Sequence, residues 1–267
     1  MTNPNSDQLW NEMHSLLQQG GLVSLAVKHG NAYIQESYNR RVAPSDDAVA
    51  ALKGFYEPFP AMMGDPFAII DRLHKLGSPG TLAQTGGRFF GLVNGSVVPT
   101  GLAARMLADT WDQNAVLHGI SPTNAVLEDV CQTWLRDIFN LPTQTVAGFV
   151  SGTSMAIVCG LAAARWRLCQ QAGHDINADG LASGPRLRIV TSKHAHSTVW
   201  KAIALLGFGT SNVETVDVDD QGRLLVDELP ELDAQTILIL QAGNVNSGSF
   251  DPIRAACEKA NKAGAWV

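Results

Sequence analysis

An apolar run, residues 146–150, meets Ser151-Gly152-Thr153-Ser154 and passes into a stretch of small helix-forming residues, 156–165. The run predicts a buried strand, and the polar turn predicts a sharp entry into a helix over 154–171. A strand that feeds a helix through Ser, Gly and Thr leaves backbone N–H groups free at the helix start. Those groups, with the positive end of the helix dipole, favour a phosphate. The hydroxyls of Thr153 and Ser154 add hydrogen-bonding capacity. An ordinary capped turn is the plainer alternative, because Ser and Thr are good N-caps in any helix.

From residue 146 onward the chain alternates. Apolar strands are predicted at 146–150, 187–191, 213–218, 236–241 and 265–267, and helices at 154–171, 197–206, 226–232 and 252–263. Short apolar strands separated by helices predict a parallel sheet covered on both faces, an α/β architecture. Ligands of such sheets sit at the carboxyl ends of the strands. The segments that matter are therefore 151–154, 192–196, 218–220 and 242–246. One holds Lys193, His194 and His196, and another holds Gly243, Asn244 and Asn246. Two His and a Lys in one post-strand loop point to a site. A desolvated Lys193 would be a nucleophile, although a Lys after a strand is more often a solvated charge.

The first 84 residues read differently. Leu9, Met13, Leu16 and Leu17 recur at helical spacing before Gly20-Gly21, and further helices are predicted at 22–41, from 44, and at 67–76. Residues 77–98 are rich in glycine around Arg88-Phe89-Phe90, which suits either a loop lining a cleft or one covering a core edge. Helices follow at 100–112 and 123–140, the second with Ser121 as cap and Pro122 at its first position. The division expected is a helical region over 1–84 and an α/β domain over 85–267.

A net charge of −6 and a pI near 5.6 offer no basic face to nucleic acid. No apolar run reaches transmembrane length, and the polar N-terminus is not a signal peptide. Cys131, Cys159, Cys169 and Cys257 are scattered without a CxxC pair, as reduced thiols of a cytoplasmic protein would be, and no metal site is expected.

Five segments carry a resemblance. They are Arg88-Phe89-Phe90-Gly91, Ser121-Pro122 through Leu127-Glu128, Ser151-Gly152-Thr153-Ser154-Met155-Ala156 through Ala164-Arg165, Ala195-His196-Ser197, and Gly243-Asn244 through Ser249-Phe250-Asp251-Pro252. In this order and approximate spacing the chain resembles the group II pyridoxal-5′-phosphate-dependent amino-acid decarboxylases, the aromatic amino-acid and glutamate decarboxylase family, over about residues 85–267. The resemblance implies a fold-type-I large domain with a mostly parallel sheet flanked by helices, after a helical N-terminal region. It implies pyridoxal 5′-phosphate as cofactor, an L-amino acid as substrate, and loss of carbon dioxide to leave the amine. It implies that Thr153 and Ser154 hold the cofactor phosphate. His196 would stack on the pyridine ring and place the substrate carboxylate. Asn244 would lie near the ring edge, and Phe90, Leu92 and Val93 in the segment lining the substrate pocket. A homodimer is also implied, with residues 114–118 near the partner's site.

Met155 departs from the family's usual Glu, and Asn244 from its Thr. The family's His-Val-Asp motif and its cofactor-tethering Lys would both follow residue 267. The sheet is therefore expected to be incomplete, and this chain alone inactive and poorly soluble. Another fold-type-I enzyme, such as an aminotransferase, is the alternative, followed by a non-catalytic relative. A dinucleotide-binding fold ranks last, since no Gly-x-Gly-x-x-Gly follows a strand.

Overall fold

Capping chemistry fixes where several N-terminal helices begin. The computed structural model describes residues 6–267, in two units that meet at Asp112 and Gln113. The N-terminal unit carries α1 (Ser6–Gln19), α2 (Gly21–Ser37), α3 (Asp46–Ala51), α4 (Pro66–Arg72) and α5 (Pro99–Trp111). At the start of α3 the Ser45 hydroxyl accepts from Ala48 N–H, and at α4 the Asp65 carboxylate accepts from Phe67 N–H ahead of Pro66. The helix predicted to reach residue 41 stops at Ser37. Arg40 is drawn away to donate to Ser78 O at 2.9 Å, with its guanidinium 5.1 Å from the Tyr33 ring centre. His29 Nε2 lies 2.7 Å from Asp71 Oδ1 and ties α2 to α4. That hydrogen bond holds the Asp71 carboxyl below the usual carboxylate range.

The glycine-rich segment docks on the end of α2. A Cβ on Gly86 would lie 2.5 Å from the carbonyl oxygen of Ser37, so only glycine permits the approach. Arg88 donates to the carbonyl of Arg40.

The second unit carries α6 (Pro122–Ile138), α7 (Thr153–Gln171), α8 (Ile176–Asp179), α9 (Ser197–Leu205) and α10 (Ile253–Lys262). It also holds a three-stranded parallel sheet of β1 (Arg188–Ser192), β2 (Val213–Val216) and β3 (Thr236–Ile239), in the order β2-β1-β3. Ile189 pairs with Val213 on one side and Ile237 on the other. Strand alternation then builds two cores at once. Ile189 and Ile237 pack with Leu161, Ala164 and Leu168 of α7 and with Val199, Ala202 and Ile203 of α9. Val190 and Leu238 face the other way, onto Ala256 and Ala260 of α10. Both faces are apolar because both are covered.

The edge of the sheet away from the strand ends is tied by charge. Arg188 makes two bonds to the Glu214 carboxylate, at 2.9 and 3.0 Å, and one to Asp233 at 3.1 Å. The Asp233 carboxyl is held below its ordinary range, first by the Thr236 hydroxyl and then by Arg188.

In the second unit three expectations are corrected. Residues 146–150 are not a strand: Val146 and Phe149 are exposed and no described strand runs alongside. Without a ladder the segment's backbone takes other partners, such as Gln132 Oε1 for Ala147 N–H. The helix predicted at 226–232 is one 3₁₀ turn, Val226–Glu228, because Pro230 forces Leu229 into extended backbone. Residues 265–267 give a single bridge, in which Trp266 pairs with Ile237.

Candidate functional site

The site follows from which way the chain turns after each strand. α9 leaves β1 and covers one face; α10 follows β3 and covers the other. Since β1 and β3 are neighbours and the helices after them cover opposite faces, their carboxyl ends form a switch point, the position where open α/β sheets bind ligands. The loop after β1 carries His194 and His196, and the loop after β3 carries Asn244.

His196 is the N-cap of α9 and is exposed. Its Nδ1 accepts from Thr198 N–H at 3.2 Å and lies 2.8 Å from Thr198 Oγ1. A backbone N–H can only donate, so Nδ1 is the acceptor and the neutral ring carries its proton on Nε2. The imidazole is thus fixed on one edge and presents an N–H donor on the other.

α7 lies beside α9, and Arg165 Nη1 donates to Leu206 O at the end of α9 at 2.7 Å. Late α7 meets the end of α9, so both helices begin at the carboxyl edge. The start of α7 has no side-chain cap at Gly152. Among the described residues the N–H groups of Thr153 and Ser154 have no acceptor, and neither hydroxyl has a partner. A Cβ on Gly152 would meet nothing within 4 Å. Two free N–H groups, two free hydroxyls and open space at a helix start fit the phosphate of pyridoxal 5′-phosphate.

Asn244 is buried. Its Oδ1 accepts from Asn246 N–H at 2.9 Å and Ser247 N–H at 3.4 Å, while its backbone N–H donates to Ser249 O at 2.7 Å. Its Nδ2 is the polar group left over. The loop after β3 is fixed further by Asp251, whose buried carboxylate accepts from Gln241 N–H at 2.7 Å and Leu224 N–H at 2.8 Å.

Lys193 forms an ion pair with Asp217, so the structure gives it the solvated-charge role and not that of a nucleophile. Phe90, Leu92 and Val93 stand in the N-terminal unit, all strongly exposed, with Leu92 and Val93 at φ of 60° and 54°. Left-handed backbone at two consecutive residues, one of them β-branched, is strained. Ser121 is fully buried but does not cap α6 through its hydroxyl, which has no partner. Sequence reasoning missed Asp251 as the clamp of the β3 loop; its signal was the Asp-Pro pair opening α10.

The model of the pyridoxal-dependent decarboxylase conserved domain matches residues 67–267. Among solved structures, mouse CSAD superposes with a TM-score of 0.78 at 21% identity, over 96% of this chain and 54% of its own. The glutamate decarboxylase domain of a Vibrio parahaemolyticus diaminobutyrate-pyruvate transaminase and L-2,4-diaminobutyrate decarboxylase gives 0.77 at 20%, over 92% and 57%. Oryza sativa TDC, solved with PLP and tryptamine, gives 0.77 at 20%, over 100% and 55%. The chain therefore spans little more than half the length of these proteins. Among the described residues no helix is long and apolar enough to cross a membrane.

Proposed function

Since this chain belongs to the pyridoxal-dependent decarboxylase family, with pyridoxal 5′-phosphate as its cofactor, we propose that the whole protein removes the carboxyl group of an L-amino acid as carbon dioxide and releases the amine. The observation that carries the reading is the uncapped N-terminus of α7 at the carboxyl edge of the sheet, the edge at which His196 follows β1 and Asn244 follows β3. When bound, the cofactor supplies a ring that takes up the electron pair of the breaking carbon–carbon bond.

The chain's residues supply binding and orientation. Thr153 and Ser154 would hold the phosphate through their N–H groups and hydroxyls. His196 offers a flat face to cover the ring, and its Nε2–H offers a donor for the substrate carboxylate. Asn244 Nδ2 would donate at the ring edge. The same proposal includes a homodimer in the cytoplasm, and the exposed Val116 and Leu117 fit a partner contact there.

The test is product analysis. The full-length protein is given pyridoxal phosphate and a panel of L-amino acids. Carbon dioxide and the matching amine in equal amounts are expected from at least one. Keto acid without carbon dioxide would overturn the reading in favour of an aminotransferase.

A further inference from the structure

The loop after β2, residues 217–224, holds none of the groups assigned to the cofactor, yet it packs against one of them. Its turn is tightly built. Asp219 Oδ1 accepts from the N–H groups of Gln221 and Arg223, each at 2.9 Å, and Gly222 N–H donates to Asp219 O at 3.0 Å. Arg223, first through its N–H and then through its guanidinium, holds the Asp219 carboxyl below its ordinary range. Gly222 sits at φ 75°. A Cβ there would lie 2.5 Å from Asn244 Nδ2 and 3.4 Å from His194 Nδ1. The amide cannot swing aside freely, because Asn244 Oδ1 is committed to Asn246 and Ser247 N–H. Two further ties join the loops: Ser247 Oγ donates to Gln221 O at 2.6 Å, and Asp251 accepts from Leu224 N–H.

We infer that Gly222 is a positioning residue: by leaving the space that the Asn244 Nδ2 occupies, it sets the orientation of the amide proposed to meet the cofactor. The inference rests on the cofactor site proposed above and extends it to a third loop. Asp251 acts with it, clamping the β2 loop to the β3 loop so that Gly222 stays beneath Asn244.

The test is a double-mutant cycle on the full-length protein, read by pyridoxal phosphate affinity from the cofactor's absorbance and fluorescence. Gly222→Ala is expected to weaken binding about 10-fold in the native background, but less than about 2-fold when Asn244 is already Ala. Backbone strain from a side chain at positive φ does not depend on Asn244, so a purely structural role costs the same in both backgrounds. Equal losses in the two backgrounds, or no loss in either, would overturn the inference. Should Gly222→Ala fail to fold by circular dichroism, Asp251→Asn provides the second cycle with Asn244→Ala, under the same two outcomes. If the unmutated protein binds no pyridoxal phosphate, the parent proposal falls and this one with it. Binding by the unmutated protein with uncoupled variants overturns this inference alone.

Discussion

Replacing His196 by Ala in the full-length protein is expected to lower kcat by 10²- to 10⁴-fold, about 3–5 kcal/mol of barrier, the range for losing a positioned proton-handling side chain. His196→Gln should also be severely impaired, since a carboxamide keeps an N–H but lacks the ring face. Two consequences separate this from damage to the fold. His196 caps α9 through Nδ1, so its removal costs stability too, but only about 0.5–2 kcal/mol, as for other lost caps. Lys193, directly after the end of β1 and paired with Asp217 in solvent, is a control. Lys193→Ala should stay within about 3-fold of normal turnover, because exposed ion pairs contribute about 1 kcal/mol or less. Steady-state kinetics on the three variants decides the matter. Unchanged turnover in His196→Ala would remove it from the mechanism, and loss of turnover in Lys193→Ala would shift the chemistry to that residue.

The second large effect lies in the core. Ile203 of α9 is fully buried against α7 and the sheet face formed by Ile189 and Ile237. Ile203→Ala removes its outer atoms and leaves a cavity that packed strands and helices cannot close, so a loss of about 2–5 kcal/mol is expected. Leu205, two residues along the same helix, is 72% exposed, and Leu205→Ala should stay within about 0.5 kcal/mol. Urea unfolding followed by circular dichroism measures both. A cost below about 1 kcal/mol at Ile203 would mean that this core is not packed as described.

The parallel sheet was legible because β1, β2 and β3 are short apolar runs bounded by turns, and covered strands need little else to be recognised. Residues 146–150 have a similar composition but no strand beside them among the described residues, and a run of apolar residues cannot announce whether a partner exists. The failure at 226–232 was avoidable, since Pro230 already forbade a helix at Leu229. Within the candidate site, the start of α7 and the two loops after β1 and β3 were legible from their places after apolar runs. Their support was not. The dependence of Asn244 on Gly222 and Asp251 is a contact between loops far apart in sequence, and it leaves no periodic trace. The ion pair that occupies Lys193 is hidden in the same way.

The central claim is that pyridoxal phosphate is held by the start of α7, and Ser154→Asp tests it most directly. A carboxylate in the first turn of a helix is favoured by about 0.3–1 kcal/mol, so the melting temperature of the cofactor-free protein should hold or rise. Two unit charges about 4 Å apart near a protein surface interact by about 4 kcal/mol, so the same carboxylate set against the cofactor phosphate should cost at least about 100-fold in affinity. The measurement is a pyridoxal phosphate titration of the unmutated full-length protein and the Ser154→Asp variant, followed by absorbance. Saturable binding by the first and its loss in an equally stable variant is the predicted result. Equal affinity in the two would contradict the account and place the phosphate elsewhere.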